Sequence, residues 1–205
     1  MKLTEERKNK HLSQLIAFSF FASVVATIIS WCFPPDFTVD PPKMNEIGLM
    51  LGHLQTSLVI LGCTALGIQL TEEKQTISSI GFTMMAITQG VIFVLYVVAP
   101  EPSKENLDEV YKLFAASLFL LIPSMLLIAF YSEFPRWLNL LGVFAIIPWI
   151  TENFLYFYTH NLSPVVGAAD FVGQLMMNTT IFFWGYFSLK KYKKRKLNVN
   201  AETEA

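Results

Sequence analysis

The fold class this sequence predicts is an all-α membrane protein: a six-helix transmembrane bundle with short loops and both termini on the cytoplasmic side. Three observations carry that expectation. Six stretches of 19 to 26 residues are almost free of charge, and a hydrocarbon core about 30 Å thick takes around 20 apolar residues at 1.5 Å each. Prolines and turn residues punctuate the intervals, as in Phe33-Pro34-Pro35-Asp36, Asp40-Pro41-Pro42, Ala99-Pro100-Glu101-Pro102 and Glu133-Phe134-Pro135, where proline withholds a backbone donor and stops a helix. Charged residues are only 15% of the 205, against about 25% in a soluble domain. A soluble enzyme, a nucleic-acid-binding domain and a disulfide scaffold are thereby excluded.

The spans are expected at 12–33, 47–70, 77–99, 113–131, 137–158 and 164–189. The first is longer than the 7 to 15 apolar residues of a signal-peptide core, and Ile29-Ser30-Trp31-Cys32 offers no small-x-small cleavage site, so it is read as retained. The second opens on Gly48-Leu49-Met50-Leu51-Gly52, a small-xxx-small spacing that lets helices approach closely. The third carries Gln89 and ends at Ala99-Pro100-Glu101-Pro102, and the fourth stops before Glu133-Phe134-Pro135. The fifth contains Pro148, which frees a carbonyl and invites a kink. The sixth carries a polar stripe and leads into a basic, then acidic, tail at 190–205. None of the loops is long enough to bury a core of its own, so residues 1–205 form one transmembrane domain. In lipid every backbone amide must be satisfied internally, and apolar runs of this length can only be helices.

Orientation follows from lysine and arginine, which are retained on the cytoplasmic side near span ends. With both termini inside, 12 basic residues fall in inner segments, including Lys74, Arg136 and the cluster at Lys190 to Lys196, and only Lys43, Lys104 and Lys112 fall outside. Six spans in so short a chain is an architecture common among small bacterial membrane proteins, so the expected location is a bacterial inner membrane. The two cysteines, Cys32 and Cys63, belong at different depths and are not expected to pair.

Ionisable side chains inside a span are costly and are functional candidates by default. There are three: His53, Glu152 and Asp170. Each is six residues from the outer end of its span, about 9 Å deep, so three helices place an ionisable group in one layer of the outer half. Gln55, Gln89, Asn153 and Gln174 share that half, whereas the inner half has mainly Thr64, Gln69, Asn178 and Ser188. Polarity therefore opens outward. On the sixth span Gly167, Asp170, Gln174, Asn178, Gly185 and Ser188 fall within an arc of about 80°. On the fifth, Trp149, Glu152, Asn153, Tyr156 and His160 fill an arc of about 100°. On the second, Gly48, Gly52, Gln55, Gly62 and Gln69 form one face and His53 lies on another. His160 reads as an exposed loop residue.

The expected ligand-binding set is Asp170, Glu152, Gln174, Asn153, His53, Gln89, Trp149, Tyr156 and Asn178, with Asp170 and Glu152 adjacent at its centre, since a loop of five residues makes the fifth and sixth helices antiparallel neighbours. Carboxyls in a poorly solvated site suit binding or movement of a small molecule, ion or proton by a transporter or sensor. A second class is an accessory subunit with no site of its own, paired with a second copy or a larger membrane partner. A third is a membrane-embedded metal-dependent hydrolase using His53, Glu152, Asp170 and His160. Against the last stand three histidines in all, one of them His11 in the N-terminal segment, and no HExxH, HxxxH, cysteine pair, Ser-His-Asp set or glycine-rich phosphate loop. No metal and no cofactor is expected. The partners implied are membrane lipids and a small ligand, not nucleic acid; the lysine-rich tail reads as the cytoplasmic stop of the last span, near anionic headgroups.

Overall fold

The computed structural model describes residues 2–34, 45–98, 107–159 and 164–203. These form six α-helices: α1 (Lys2–Ser30), α2 (Glu46–Glu72), α3 (Thr76–Val98), α4 (Leu107–Tyr131), α5 (Arg136–Thr159) and α6 (Pro164–Thr203). Five of them, all but α6, are long and apolar enough to cross a membrane. Among its described residues α6 falls short because Asp170, Gln174 and Asn178 lie in its first half.

Within the helices, hydroxyl side chains return their protons to the backbone one turn earlier, as Thr88 does to the Met84 carbonyl (2.9 Å), Thr83 to that of Ser79 (3.0 Å) and Ser188 to that of Trp184 (2.8 Å). That is how a hydroxyl is satisfied where no water reaches it. The entry to α2 is capped by Asn45, whose Oδ1 accepts from the amides of Ile47 (3.0 Å) and Gly48 (3.4 Å). Its exit is a Schellman turn: the Gln75 amide bonds the Leu70 carbonyl (2.8 Å), and the Lys74 amide bonds that of Thr71 (3.0 Å). Lys74 holds the left-handed position usually given to glycine, with φ 63°.

The helices alternate in direction and pack in chain order, each against the next, and α1 closes the ring against α6. Close approach is bought by small residues: a Cβ at Gly62 would lie 2.5 Å from the Phe20 ring, so that face of α2 is seated on α1. The lysine-bearing half of the ring is filled by large apolar groups, with Trp184 of α6 edge-on to Phe82 of α3 at 4.8 Å and tilted against Phe20 of α1 at 6.1 Å. Polar residues from every helix are buried, among them Ser23, Thr56, Thr88, Ser117, Asn153 and Asn178. Outside, large apolar side chains run in lines seven residues apart, Leu54, Leu61 and Ile68 on α2 and Ile80, Ile87 and Val94 on α3, all exposed.

Three boundaries differ from expectation. The helix α1 starts at Lys2 and stops at Ser30, short of Phe33; α4 starts at Leu107 instead of 113; and α6 runs to Thr203, so the expected separate tail at 190–205 is helical as far as that residue. Hydrophobicity marks where a helix meets lipid, not where it ends. Lys, Arg and Glu are strong helix formers, and Asp108 and Glu109 suit the positive N-terminal end of α4.

Candidate functional site

The arc read on α5 is turned into the ring: Trp149, Glu152, Asn153 and Tyr156 are all buried. Opposite it, the first half of the α6 stripe brings up Asp170 and Gln174, both half-buried, and Asn178, buried. The α5–α6 seam is set by Gly173, where a Cβ would fall 2.7 Å from Trp149 Nε1. With hydrogen there instead, the indole lies against α6 and donates to Asp170 Oδ1 at 3.1 Å. Gln174 donates to Asp170 Oδ2 at 2.7 Å, one helical turn on, so both carboxylate oxygens are engaged.

From there the network runs along α6 and into α1. Gln174 Oε1 accepts from Trp31 Nε1 at 3.4 Å. Asn178 donates to the Gln174 carbonyl at 2.8 Å, and its Oδ1 accepts from Thr27 at 3.1 Å. On the other flank α4 completes the site. Tyr111 donates to Glu152 Oε1 at 3.2 Å and stacks on Tyr156 with ring centres 3.7 Å apart and planes 8° from parallel. Tyr156 in turn donates to Oδ1 of the exposed Asp108 at 2.7 Å. A continuous line of polar groups and stacked phenols thus leads from the surface to Glu152.

Asp170 is hydrogen-bonded to Trp149, which lies three residues before Glu152 on the same face of α5. Among the described residues neither acid forms an ion pair with a basic side chain. Glu152 Oε2 and Asn153 Oδ1 are buried without a hydrogen-bond donor. An acceptor left bare in a low-dielectric interior costs about 1–3 kcal/mol, more for a charged group. Such a site is chemically set to take a proton or an oxygen-seeking cation.

Two members of the expected set are not brought to this cluster. His53 packs its ring on Phe93 of α3 at 5.4 Å, and Gln89 is buried on α3. Both were placed by depth, but ring order sets α2 and α3 away from α5 and α6, and equal depth on opposite sides of a bundle is not contact. Among the described residues no three His, Cys, Asp or Glu side chains converge as a metal would need, so the hydrolase arrangement of His53 with the two carboxyls is not formed. His160 lies outside the described residues. Conversely, Asp108 and Tyr111 were missed because the fourth span was started at 113, and Thr27 and Trp31 because the expected first span, 12–33, has no acidic or basic residue to attract notice. The readable signal was Asp108 and Tyr111 at i and i+3 on one helical face.

Polar side chains also gather beyond the expected spans. A cavity of about 490 Å³ opens at the lysine-bearing end, lined by Gln69, Glu73, Gln75, Glu133, Phe187 and Lys191 among others. No known family, characterised protein or solved structure matches the chain, so function rests on the side chains themselves.

Proposed function

We propose that the chain is a six-span membrane protein with both termini cytoplasmic that binds a proton or small cation between α5 and α6, entering from the outer face, as a transporter or sensor. The observation that carries this reading is Glu152, buried with Oε2 bare on the α5 face whose Trp149 bonds Asp170 of α6, with no ion-paired basic partner for either acid among the described residues. On this reading α6 is the sixth span, its polar stripe shielded by α1 and α5, and exposed Asp108 marks the entrance. The closed ring supports a site within the chain over a face kept for a partner: polar groups of all six helices turn inward while the outside is lined by bulky apolar side chains. Lysine and arginine concentrated at the other end support the orientation.

The test uses the indole of Trp149, bonded to Asp170, as its reporter. Tryptophan emission of the protein in mild detergent is followed against pH, and against lithium, sodium and potassium chloride at constant ionic strength. The expected result is a transition with pH or a saturable cation response in the wild type, absent in Asp170→Asn, with helical content unchanged. Removing an intramembrane charge lowers the cost of insertion, so this variant is expected to fold; Glu152→Gln is the second variant. A response that survives in both variants refutes the reading.

A further inference from the structure

Glu152 and Asp170 carry four carboxylate oxygens, and these are unequally served. Asp170 Oδ1 accepts from Trp149 at 3.1 Å and Oδ2 from Gln174 at 2.7 Å. Glu152 Oε1 accepts from Tyr111 of α4 at 3.2 Å. Glu152 Oε2 is buried with no donor, on a residue only 8% exposed. The next residue, Asn153, spends its Nδ2 on the Trp149 carbonyl at 3.0 Å and leaves its Oδ1 buried and bare as well. This stretch of α5 is rich in acceptors and short of hydrogens.

The helices packed on α5 are α4 and α6. From α4 the titratable group at Glu152 is Tyr111, with Asp108 reached through Tyr156; Glu109 and Lys112 of α4 are exposed. From α6 it is Asp170, held at Trp149 three residues back along α5. Among the described residues no basic side chain is paired with Glu152, so an incoming positive charge has to offset the carboxylate. A hard cation such as Ca²⁺ or Mg²⁺ gathers about six or more oxygens around it, and among the described residues no three His, Cys, Asp or Glu side chains converge. An oxygen as fully covered as Oε2 offers a hydrated cation no room. A proton needs none. It adds to a lone pair of Oε2, leaves the carboxyl neutral and removes the cost of a buried charge.

Resting on the reading of this region as a binding site, we infer that its occupant is a proton, carried on Oε2 of Glu152, and that Tyr111 is the positioning residue that directs it there. Tyr111 keeps its own proton and goes on donating to Oε1, which becomes the carbonyl oxygen of the acid. The proton taken from the medium forms its bond with Oε2, and the carboxylate becomes a neutral carboxyl. Metal cations are not taken.

The test is infrared spectroscopy of the full-length protein in mild detergent, with the wild type minus Glu152→Gln difference isolating the C=O stretch of a protonated Glu152. That band is expected to grow as the pH falls. It is expected to stay unchanged when lithium, sodium or potassium chloride is exchanged for one another at fixed pH and ionic strength. In Tyr111→Phe the carbonyl at Oε1 loses its donor, so the band is expected at higher wavenumber with helical content unchanged, a shift that a merely structural role for Tyr111 would not produce. The same shift identifies the Glu152 band should Glu152→Gln fail to fold. A Glu152 band that is absent, constant with pH, displaced by one of the cations or unmoved in Tyr111→Phe overturns the inference. Where a cation displaces the band and the tryptophan emission responds to that cation, the site between α5 and α6 stands with a metal ion as its occupant; where neither signal responds to pH or to a cation, both readings fall.

Discussion

Replacing Gly173 by alanine tests the α5–α6 seam directly, because the structure states what the added methyl group meets. Its Cβ would lie 2.7 Å from Trp149 Nε1, 3.0 Å from Cδ1 and 3.1 Å from Cε2. Ordinary contact begins at 3.4 Å, so the indole edge must recede by about 0.7 Å. The Trp149 to Asp170 hydrogen bond, 3.1 Å in the native protein, then stretches to about 3.8 Å if the displacement is in line, beyond useful reach. Overpacking of this kind costs about 1–3 kcal/mol, and the lost interhelical hydrogen bond adds about 0.6 kcal/mol. Alanine recovers up to about 1 kcal/mol through its helix propensity. With the full propensity gain the net expectation is a loss of about 0.6–2.6 kcal/mol, measured by denaturation in mixed micelles. A double-mutant cycle isolates the cause: in a Trp149→Phe background the Nε1 group is gone, and the penalty should shrink by about 1 kcal/mol or more. Gly173→Ala as stable as the wild type, or equally costly in both backgrounds, would refute the geometry on which the site rests.

Lys74→Gly should stabilise the protein by about 1 kcal/mol, because a left-handed residue with a Cβ is strained where glycine is not; a lower thermal midpoint would show that the turn carries no such strain. The hydrogen bond from Lys191 holds the Glu133 carboxyl below its ordinary value of 4.5. A depressed carboxylate contributes its stability fully above that ordinary value and loses it as the pH falls through the depressed one. Since Glu133 is 65% exposed, the contribution is at most about 1 kcal/mol; Lys191→Met should remove it at pH 7 and flatten the acid limb of the stability profile, and an unchanged limb would show the pair to be idle. For topology, reporters active only in the cytoplasm should work when fused after residue 74 or 196, and those needing export after residue 40 or 105. Reversed activities would place the Glu152 and Asp170 site on the cytoplasmic side.

The amino-acid sequence by itself determined that the chain is helical and where its apolar helices run, because a backbone without water must satisfy its own hydrogen bonds whatever packs beside it. It also determined the inward phase of Trp149, Glu152, Asn153 and Tyr156, since residues three and four apart share a helical face and only one face of α5 is polar. Beyond that, depth along a helix was legible and direction around the bundle was not. His53, Glu152 and Asp170 were read at similar depths, yet only the last two stand on helices that pack together, because ring order is decided by which surfaces interlock, as Gly62 does with Phe20 and Gly173 with Trp149. The same interlocking recruited Thr27, Trp31, Tyr111 and Asp108, none marked by charge within an expected span. It also converted Lys191 from one lysine in a basic run into the bridge between two turns. Hydrophobic transfer acts on each helix separately and can be read one segment at a time, whereas a hydrogen bond between helices needs both partners placed to within a few tenths of an ångström, and only the packed bundle supplies that placement.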